Sequence, residues 1–240
     1  MSAHALTPEN REALKKISTA TLTTALFKRG LRNCYIQGVQ PLNPKAPRLV
    51  GEAYTLRYIP SREDLDHIGV FEDQTHPQRK AVEEIPPGHV MVIDARKDLR
   101  AATAGGILVT RMMVRGAAGI VSDGGLRDSG EMREMDFPVY CATPSAPTNL
   151  IHHHAVDINV PIGCGDVPVF PGDIIVGDDE GVVVIPAEIA NEIAVECTGM
   201  TQFEDWVLAQ VQGGRSIRGL YPPNAETKAQ FAEWKAKNGG

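Results

Sequence analysis

The stretch "GGILVTRMMVRGAAGIVSDGGLRD", residues 105–128, carries the strongest indication of the fold. Its first half places apolar residues at helical spacing after two glycines, and Gly116 is placed to end that helix. The segment 117–125 then predicts a buried strand that ends in a turn. A second buried strand is predicted upstream at 90–93, so the order is strand, helix, strand. Such a unit is typical of a parallel sheet in an α/β protein.

The flanking sequence extends this pattern in both directions. Thr7 and Pro8 predict the start of a first helix, and a second helix is expected from Ser18 to near Gly30. Further strands are predicted at "VGEAYTLRYIP" (50–60) and "FPVYC" (137–141), followed by a β meander in "DVPVFPGDIIVGDDEGVVVIP" (166–186) and by two helices in 187–212 and 228–240.

These elements predict a single α/β domain over residues 1–240. We expect its core at about 15–195 and a C-terminal helical extension at about 196–240. The tail from "GGRSIRGLYPPN" (213–224) onward is expected on the surface, with another subunit as one candidate for its contacts.

Composition and charge narrow the functional class. The net charge of −6 disfavours a general surface for nucleic acid. No run approaches the roughly 18 apolar residues needed to cross a membrane, and the first residues lack the apolar core of a signal peptide. We therefore expect a cytoplasmic enzyme with a small-molecule substrate, without a nucleic-acid or membrane partner.

The cysteines and histidines give weaker indications. The four cysteines stand alone, without metal-binding or disulfide spacing, and are interpreted as buried small residues rather than nucleophiles; they are Cys34, Cys141, Cys164 and Cys197. His152, His153 and His154 cannot all face one ion from a regular element. Two alternatives remain open: one of these histidines reaches a pocket, or the histidines lie in a packed or solvated loop.

Residues 122–131, "SDGGLRDSGE", allow two interpretations. In the first, Asp128 caps a helix with Glu131 as its reciprocal partner, and Gly124-Gly125 forms a tight turn. In the second, the chain has left the strand before Arg127, so Arg127 and Asp128 share a pocket at the carboxyl end of the strand, where α/β sheets bind ligands.

The second interpretation gains support from the glycines upstream. A helix that begins at Gly105 and Gly106 starts at the same end of the sheet, and its free N–H groups suit a carboxylate. Arg127 can add a bidentate contact to that anion. Asp128, with Glu131 one turn away, supplies hard oxygen ligands for Mg²⁺ or Mn²⁺ in an open site. Together these features predict a receptor for a small 2-oxo acid, with the ion stabilising an enolate.

The same residues resemble the family of 4-hydroxy-4-methyl-2-oxoglutarate aldolases and RraA-like regulators of ribonuclease activity. The family pattern is a glycine, about twenty residues, Arg-Asp, two residues and an acidic residue; here these are Gly106, Arg127-Asp128 and Glu131. The resemblance covers about residues 15–195 and includes "FPGDIIVGDDEGVVVIP" (170–186). It implies an α/β/β/α sandwich of the swivelling type, assembled as a homotrimer or a dimer of trimers with sites between subunits.

The resemblance also implies roles for individual residues. Asp128 would hold Mg²⁺, Arg127 would contact a pyruvyl substrate, and Glu131 would act through water near the metal. The amides of Ile107 and Leu108 would bind the substrate carboxylate.

Two positions depart from the aldolase pattern. Thr24 stands where a neighbouring subunit of the aldolases supplies an acidic residue, and Asn149 or a nearby histidine stands where they use lysine. A different substrate is therefore expected.

The leading hypothesis is a metal-dependent lyase that acts on a small 2-oxo acid, by retro-aldol cleavage or by decarboxylation of an oxaloacetate-like compound. A dehydratase or hydrolase of 2-oxo-3-deoxy sugar acids would use the same site and is an alternative. A ribonuclease inhibitor without turnover is the alternative from another class. A methyltransferase is disfavoured, because no nucleotide-type glycine loop with a suitably spaced acidic residue is present.

Overall fold

One mixed sheet covered by helices forms the body of the molecule, and the computed structural model describes residues 5–238. The predicted domain bounds of 1 and 240 therefore lie outside the described residues. The helices are α1 (Pro8–Leu14), α2 (Thr19–Lys28), α3 (Pro77–Glu84), α4 (Gly106–Val114), α5 (Ser129–Met132), α6 (Ala190–Gln212) and α7 (Ala225–Lys237). The strands are β1 (Tyr35–Ile36), β2 (Gln40–Pro41), β3 (Leu49–Pro60), β4 (His89–Asp94), β5 (Ala102–Ala104), β6 (Gly119–Leu126), β7 (Val139–Pro144), β8 (His153–Ile158), β9 (Ile162–Cys164), β10 (Val167–Val169), β11 (Ile174–Gly177) and β12 (Val182–Ile185).

The centre of the sheet is parallel. Its order is β1-β12-β11-β3-β4-β6-β7-β2, with β8 paired to β3 and β5 paired to β6. The neighbours β3–β4, β4–β6 and β6–β7 are all parallel, whereas β11 and β12 join by antiparallel pairing. The predicted strand, helix, strand unit is thus confirmed as β4, α4 and β6. The parallel strands bring their carboxyl ends to one edge of the sheet.

Successive side chains of each strand point to opposite faces of the sheet, and this divides the core into layers. In β4, Met91 and Ile93 pack with α3 and α4, whereas Val90 and Val92 point to the opposite side. That opposite side forms an inner cluster with the facing residues of β11 and β12 and the small β9–β10 sheet. The outer faces of β11 and β12 pack against α1, α2 and α6. The main sheet is therefore curled, so that β11 and β12 face β4 and two β layers lie between the helices. This succession is the predicted α/β/β/α sandwich.

The predicted starts and stops of the first helices are confirmed. The Thr7 hydroxyl accepts a hydrogen bond from the Asn10 amide at the start of α1, and Ser18 caps α2 in the same way. Gly30 and Gly116 follow α2 and α4 with positive φ, at +86° and +82°, the left-handed conformation that glycine adopts at little cost.

The predicted turn at Gly124-Gly125 is wrong, because β6 continues through both glycines to Leu126. Their lack of a side chain serves packing. A Cβ on Gly124 would lie 2.5 Å from the Ala95 Cβ, and one on Gly125 would lie 2.5 Å from the Ser145 Cβ. Glycine thus allows neighbouring segments to approach this end of the strand.

The predicted meander is correct only in its second half. β11 and β12 form an antiparallel hairpin in the main sheet, but β10 pairs with β9 in a separate two-stranded sheet. The difference arises because Val167 and Val169 turn inward to the inner cluster rather than joining the edge of the hairpin.

Of the C-terminal helices, α6 packs on the core and α7 packs on the far part of α6. α6 crosses residue 196, and its Ala194 and Cys197 are buried against α1 and α2. Farther along, Trp206 and Val207 pack with Leu220 of the connecting segment and with Phe231 of α7. Part of the segment expected on the surface thus contacts the chain's own helix.

The cysteines are buried, as interpreted. Burial raises the pKa of the thiols of Cys141 and Cys197 to about 11, which disfavours the nucleophilic thiolate. Within residues 5–238, no helix has the length and apolar character required to cross a membrane.

Candidate active site

The carboxyl end of β6 brings the predicted site residues to the start of α4. β6 ends at Leu126, and the Arg127 amide donates to the Ala104 carbonyl of the adjacent β5 at 3.1 Å. β5 leads directly into α4, so Arg127 and Asp128 lie beside Gly105 and Gly106 although twenty residues separate them in sequence. The predicted departure from the strand before Arg127 is confirmed.

Asp128 adopts an unusual backbone conformation that turns its side chain toward α4. Its φ is 61° and its ψ 32°, the left-handed region that aspartate tolerates better than most residues. Asp128 precedes α5 but makes no side-chain capping bond to it. Instead, its Oδ2 accepts a hydrogen bond from the Gly106 amide at 3.0 Å. The predicted reciprocal cap with Glu131 is therefore wrong, because the carboxylate binds the start of α4.

The two glycines leave room for the side chains of Arg127, Asp128 and Glu131. A Cβ on Gly105 would lie 2.8 Å from the Asp128 Oδ2 and 2.9 Å from the Arg127 Nε. A Cβ on Gly106 would lie 3.0 Å from the Glu131 Oε2. These distances place the carboxylates of Asp128 and Glu131 and the guanidinium of Arg127 around the helix start, and the Arg127 Nε lies 3.8 Å from the Asp128 Oδ2.

The amides at the start of α4 are less free than predicted. The Gly106 amide is used by Asp128, and the Leu108 amide donates to the Gly105 carbonyl at 3.0 Å. Between them, the Ile107 amide has no acceptor among the described residues and is one of the orphan donors of a helix start. The helix start therefore retains one donor for a substrate anion at Ile107.

A pocket of about 100 Å³, here called the Arg127 pocket, opens beside these residues. Six predicted site residues line it: Gly105, Ile107, Leu108, Arg127, Asp128 and Asn149. Gly106 and Glu131 are not among its lining residues. The other lining residues were not predicted, and they are Phe71, Gln78, Arg79, Ala102, Ala104 and Thr148.

The predicted histidines lie outside the lining of the pocket. His153 is fully buried, with its Nε2 3.2 Å from the Ala101 carbonyl oxygen. The Nδ1 of His154 lies 2.7 Å from the Asp66 carboxylate. Of the two candidates named for the position of the aldolase lysine, the structure therefore brings Asn149 to the pocket.

Asp128 and Glu131 fit an open divalent-metal site. Nearly half of the Asp128 side chain is exposed, and hard carboxylate oxygens are the ligands preferred by Mg²⁺ and Mn²⁺. Within residues 5–238, no three His, Cys, Asp or Glu side chains converge as a closed cage. Mg²⁺ is often held by one or two carboxylates, with water or substrate completing its shell.

Thr24 is exposed on α2, and its hydroxyl donates to the Ala20 carbonyl at 3.0 Å. It lines a separate cavity with Phe27, Tyr35 and Glu180. Its predicted place in a site shared between subunits stays a prediction.

Comparison with known proteins assigns the chain to one family. The family model RraA-like, described as Aldolase/RraA, matches residues 19–184. A Halalkalibacterium halodurans protein, named as a candidate 4-hydroxy-4-methyl-2-oxoglutarate aldolase, is 36% identical over 176 residues, which cover 72% of this chain and 74% of that protein. A Thermus thermophilus protein named 4-hydroxy-4-methyl-2-oxoglutarate aldolase is 32% identical over 49% of this chain and 70% of its own length.

A solved structure supports the same family. Streptomyces coelicolor RraAS2, described as an unusual member of the RNase ES inhibitor RraA protein family, matches with a TM-score of 0.73 and 30% identity, covering 83% of this chain and 96% of its own. The chain is therefore a member of the RraA-like (Aldolase/RraA) family.

Proposed function

We propose that the chain is a divalent-metal-dependent lyase that releases pyruvate from a small 2-oxo acid, by retro-aldol cleavage or by decarboxylation of an oxaloacetate-like substrate. The observation that carries the proposal is the convergence of Arg127, Asp128 and Glu131 on the start of α4, where Arg127 and Asp128 line one pocket. The name of the Thermus thermophilus relative supports the same reaction type.

The start of α4 and Arg127 would bind the pyruvyl end of the substrate. The Ile107 amide donates to the substrate carboxylate, where the positive end of the helix dipole favours an anion. The Arg127 guanidinium is exposed enough to reach the same end of the ligand. When the substrate is held in this way, the C3–C4 bond that is cleaved has a fixed orientation relative to the 2-oxo group.

Cleavage of the C3–C4 bond moves its electron pair onto the 2-oxo oxygen, and the Arg127 charge stabilises the resulting enolate. The other fragment leaves as a carbonyl compound, with its hydroxyl proton lost to solvent, or as CO₂, and a proton from solvent at C3 converts the enolate to pyruvate. Asp128 would hold Mg²⁺ or Mn²⁺, with Glu131 acting through water, and the bound ion would supply Lewis-acid polarisation of the 2-oxo group. The hydrogen bond from the Gly106 amide fixes the orientation of the Asp128 carboxylate. Loss of that carboxylate is therefore expected to remove activity without unfolding the core.

The test is pyruvate release from oxaloacetate and from a panel of 4-hydroxy-2-oxo acids in the presence of Mg²⁺, with Mg²⁺ alone as the background. Asp128→Asn is expected to lower the rate by about 100-fold or more. Asp205→Asn, an exposed carboxylate of α6 outside the pocket, is the matched control and should leave the rate unchanged. Absence of pyruvate with every substrate, or an active Asp128→Asn variant, would refute the lyase.

Two alternatives use the same chain differently. A dehydratase or hydrolase of 2-oxo-3-deoxy sugar acids would consume those acids without releasing pyruvate. When these acids are included in the panel, loss of substrate without pyruvate detects this reaction. The likeness to Streptomyces coelicolor RraAS2, from a family of RNase ES inhibitors, favours a ribonuclease inhibitor as the second class. Tight binding to a ribonuclease, together with no turnover of any substrate in the panel, would support the inhibitor.

A further inference from the structure

Arg79 brings a second guanidinium to the Arg127 pocket from a different helix. It lies near the start of α3, half-buried, with its guanidinium carbon 4.2 Å from the centroid of the Phe71 ring. Among the described residues, no carboxylate lies within ion-pair distance of it. Arg111, on the neighbouring α4, instead pairs with Glu83 at 2.7 Å. Within residues 5–238, Arg79 is thus a pocket-lining cation without a counter-ion.

Two guanidinium groups against one carboxylate give the pocket lining an excess of positive charge, which favours an anionic ligand. Arg79 and Arg127 line it together, and Asp128 is the one carboxylate among its lining residues. Burial lowers the pKa of Arg79, and the charge of Arg127 lowers it further. Bringing two guanidinium groups together is unfavourable unless an anion joins them, and a carboxylate at the pyruvyl end of a substrate neutralises one of them.

Two buried amides on the same wall have atoms without partners. The Gln78 Nε2 donates to the Thr103 carbonyl at 2.7 Å, which fixes the amide so that its Oε1 is left unpaired. The Asn149 Nδ2 is also unpaired, and both side chains are at least 95% buried. Buried polar atoms without partners are rare in folded proteins, and of these two atoms the Asn149 Nδ2 is the donor, which suits an anionic ligand in the pocket that Asn149 lines.

We propose that Arg79 is a specificity-determining residue that binds a second carboxylate, at the end of the substrate opposite the 2-oxo group held near Arg127 and Asp128. The Asn149 Nδ2 donates a further hydrogen bond on this side of the pocket. The inference rests on the proposed binding of a 2-oxo acid and assigns its distal half. It predicts that a 2-oxo dicarboxylate binds more tightly than a monocarboxylate of equal length.

The test compares 2-oxoglutarate with 2-oxopentanoate by calorimetry on the full chain with Mg²⁺. Both have five carbons and neither carries a 4-hydroxyl group, so binding is measured without retro-aldol turnover. A hydrogen-bonded ion pair to Arg79 should make 2-oxoglutarate bind about tenfold or more tightly than 2-oxopentanoate. Arg79→Gln should abolish this preference and leave the affinity for 2-oxopentanoate within about twofold, whereas Arg79→Lys should retain part of it.

Arg111→Gln is the matched control, since Arg111 is exposed and pairs with Glu83. It should leave the preference intact. Equal binding of the two acids by the unmodified chain, binding of neither, or a preference that survives in Arg79→Gln would overturn the proposal. Pyruvate release without a dicarboxylate preference would leave the lyase standing and refute the role of Arg79. A dicarboxylate preference that depends on Arg79, without pyruvate release from any substrate, would keep the Arg79 subsite and reject the lyase.

Discussion

Replacing Gly105 by alanine tests the geometry of the site with a single methyl group. The backbone of Gly105 is extended, with φ at −126°, so alanine introduces no backbone strain. The new Cβ would nevertheless lie 2.8 Å from the Asp128 Oδ2 and 2.9 Å from the Arg127 Nε. Ordinary contact begins at 3.4 Å. Both side chains must therefore move by about 0.5 Å or more to relieve the overlap.

The expected effect falls on activity rather than stability. Arg127 and Asp128 are each nearly half exposed, so they can move toward solvent at small cost in folding free energy. A misplacement of about 1 Å in an active site costs on the order of 100-fold in rate. We therefore expect the rate of pyruvate release from Gly105→Ala to fall by about 10- to 100-fold.

The assay is steady-state pyruvate release at saturating Mg²⁺, with thermal unfolding of each variant measured in parallel. Gly199→Ala is the control, because a Cβ there meets no atom within 4 Å. In the interior of α6 this change should stabilise the chain by about 0.5–1 kcal/mol and leave the rate unchanged. A folded Gly105→Ala variant that retains the full rate would show that the crowding around Gly105 has no part in catalysis.

Two further predictions concern stability. Burial alone would raise the pKa of Asp178, but hydrogen bonds from the Thr19 amide and hydroxyl and a contact with Arg48 lower it below its usual 3.8. Asp178→Asn should therefore reduce the unfolding free energy by about 1–3 kcal/mol at neutral pH. Denaturant titrations should show this deficit shrinking as pH falls below the usual pKa of the carboxyl group, whereas a deficit that stays constant down to about pH 2 would contradict the prediction. Gly124→Ala should cost about 1–3 kcal/mol, because its Cβ would lie 2.5 Å from the Ala95 Cβ, and an unchanged melting temperature would refute the packing argument.

Local signals in the sequence were sufficient to predict the β4, α4, β6 unit and the meeting of Arg127 with Gly105. The strand and helix have different hydrophobic periods, and parallel strands place the end of β6 beside the start of α4. At Gly124-Gly125 the sequence predicted a turn, but the strand continues. Paired glycines occur both in turns and where two segments approach closely, because both arrangements exclude a side chain. Distinguishing them requires knowing what packs against the strand.

The wall of the pocket formed by α3 could not be predicted from sequence. Gln78 and Arg79 reach the site because β3 and β4 pair in parallel and place α3 against α4, about thirty residues farther along the chain. Neither residue belongs to a motif, and an arginine near a helix start is typical of a solvated surface. The left-handed conformation of Asp128 was equally hidden, since the Asp128 and Glu131 spacing also fits a capped helix.

Metal removal tests the central claim most directly. Pyruvate release from the best substrate of the panel should disappear after treatment with EDTA and return on addition of Mg²⁺ or Mn²⁺, while Asp128→Asn remains inactive at every metal concentration. Full activity in EDTA, or an Asp128→Asn variant that responds to metal as the unmodified chain does, would contradict a metal-dependent lyase centred on Asp128.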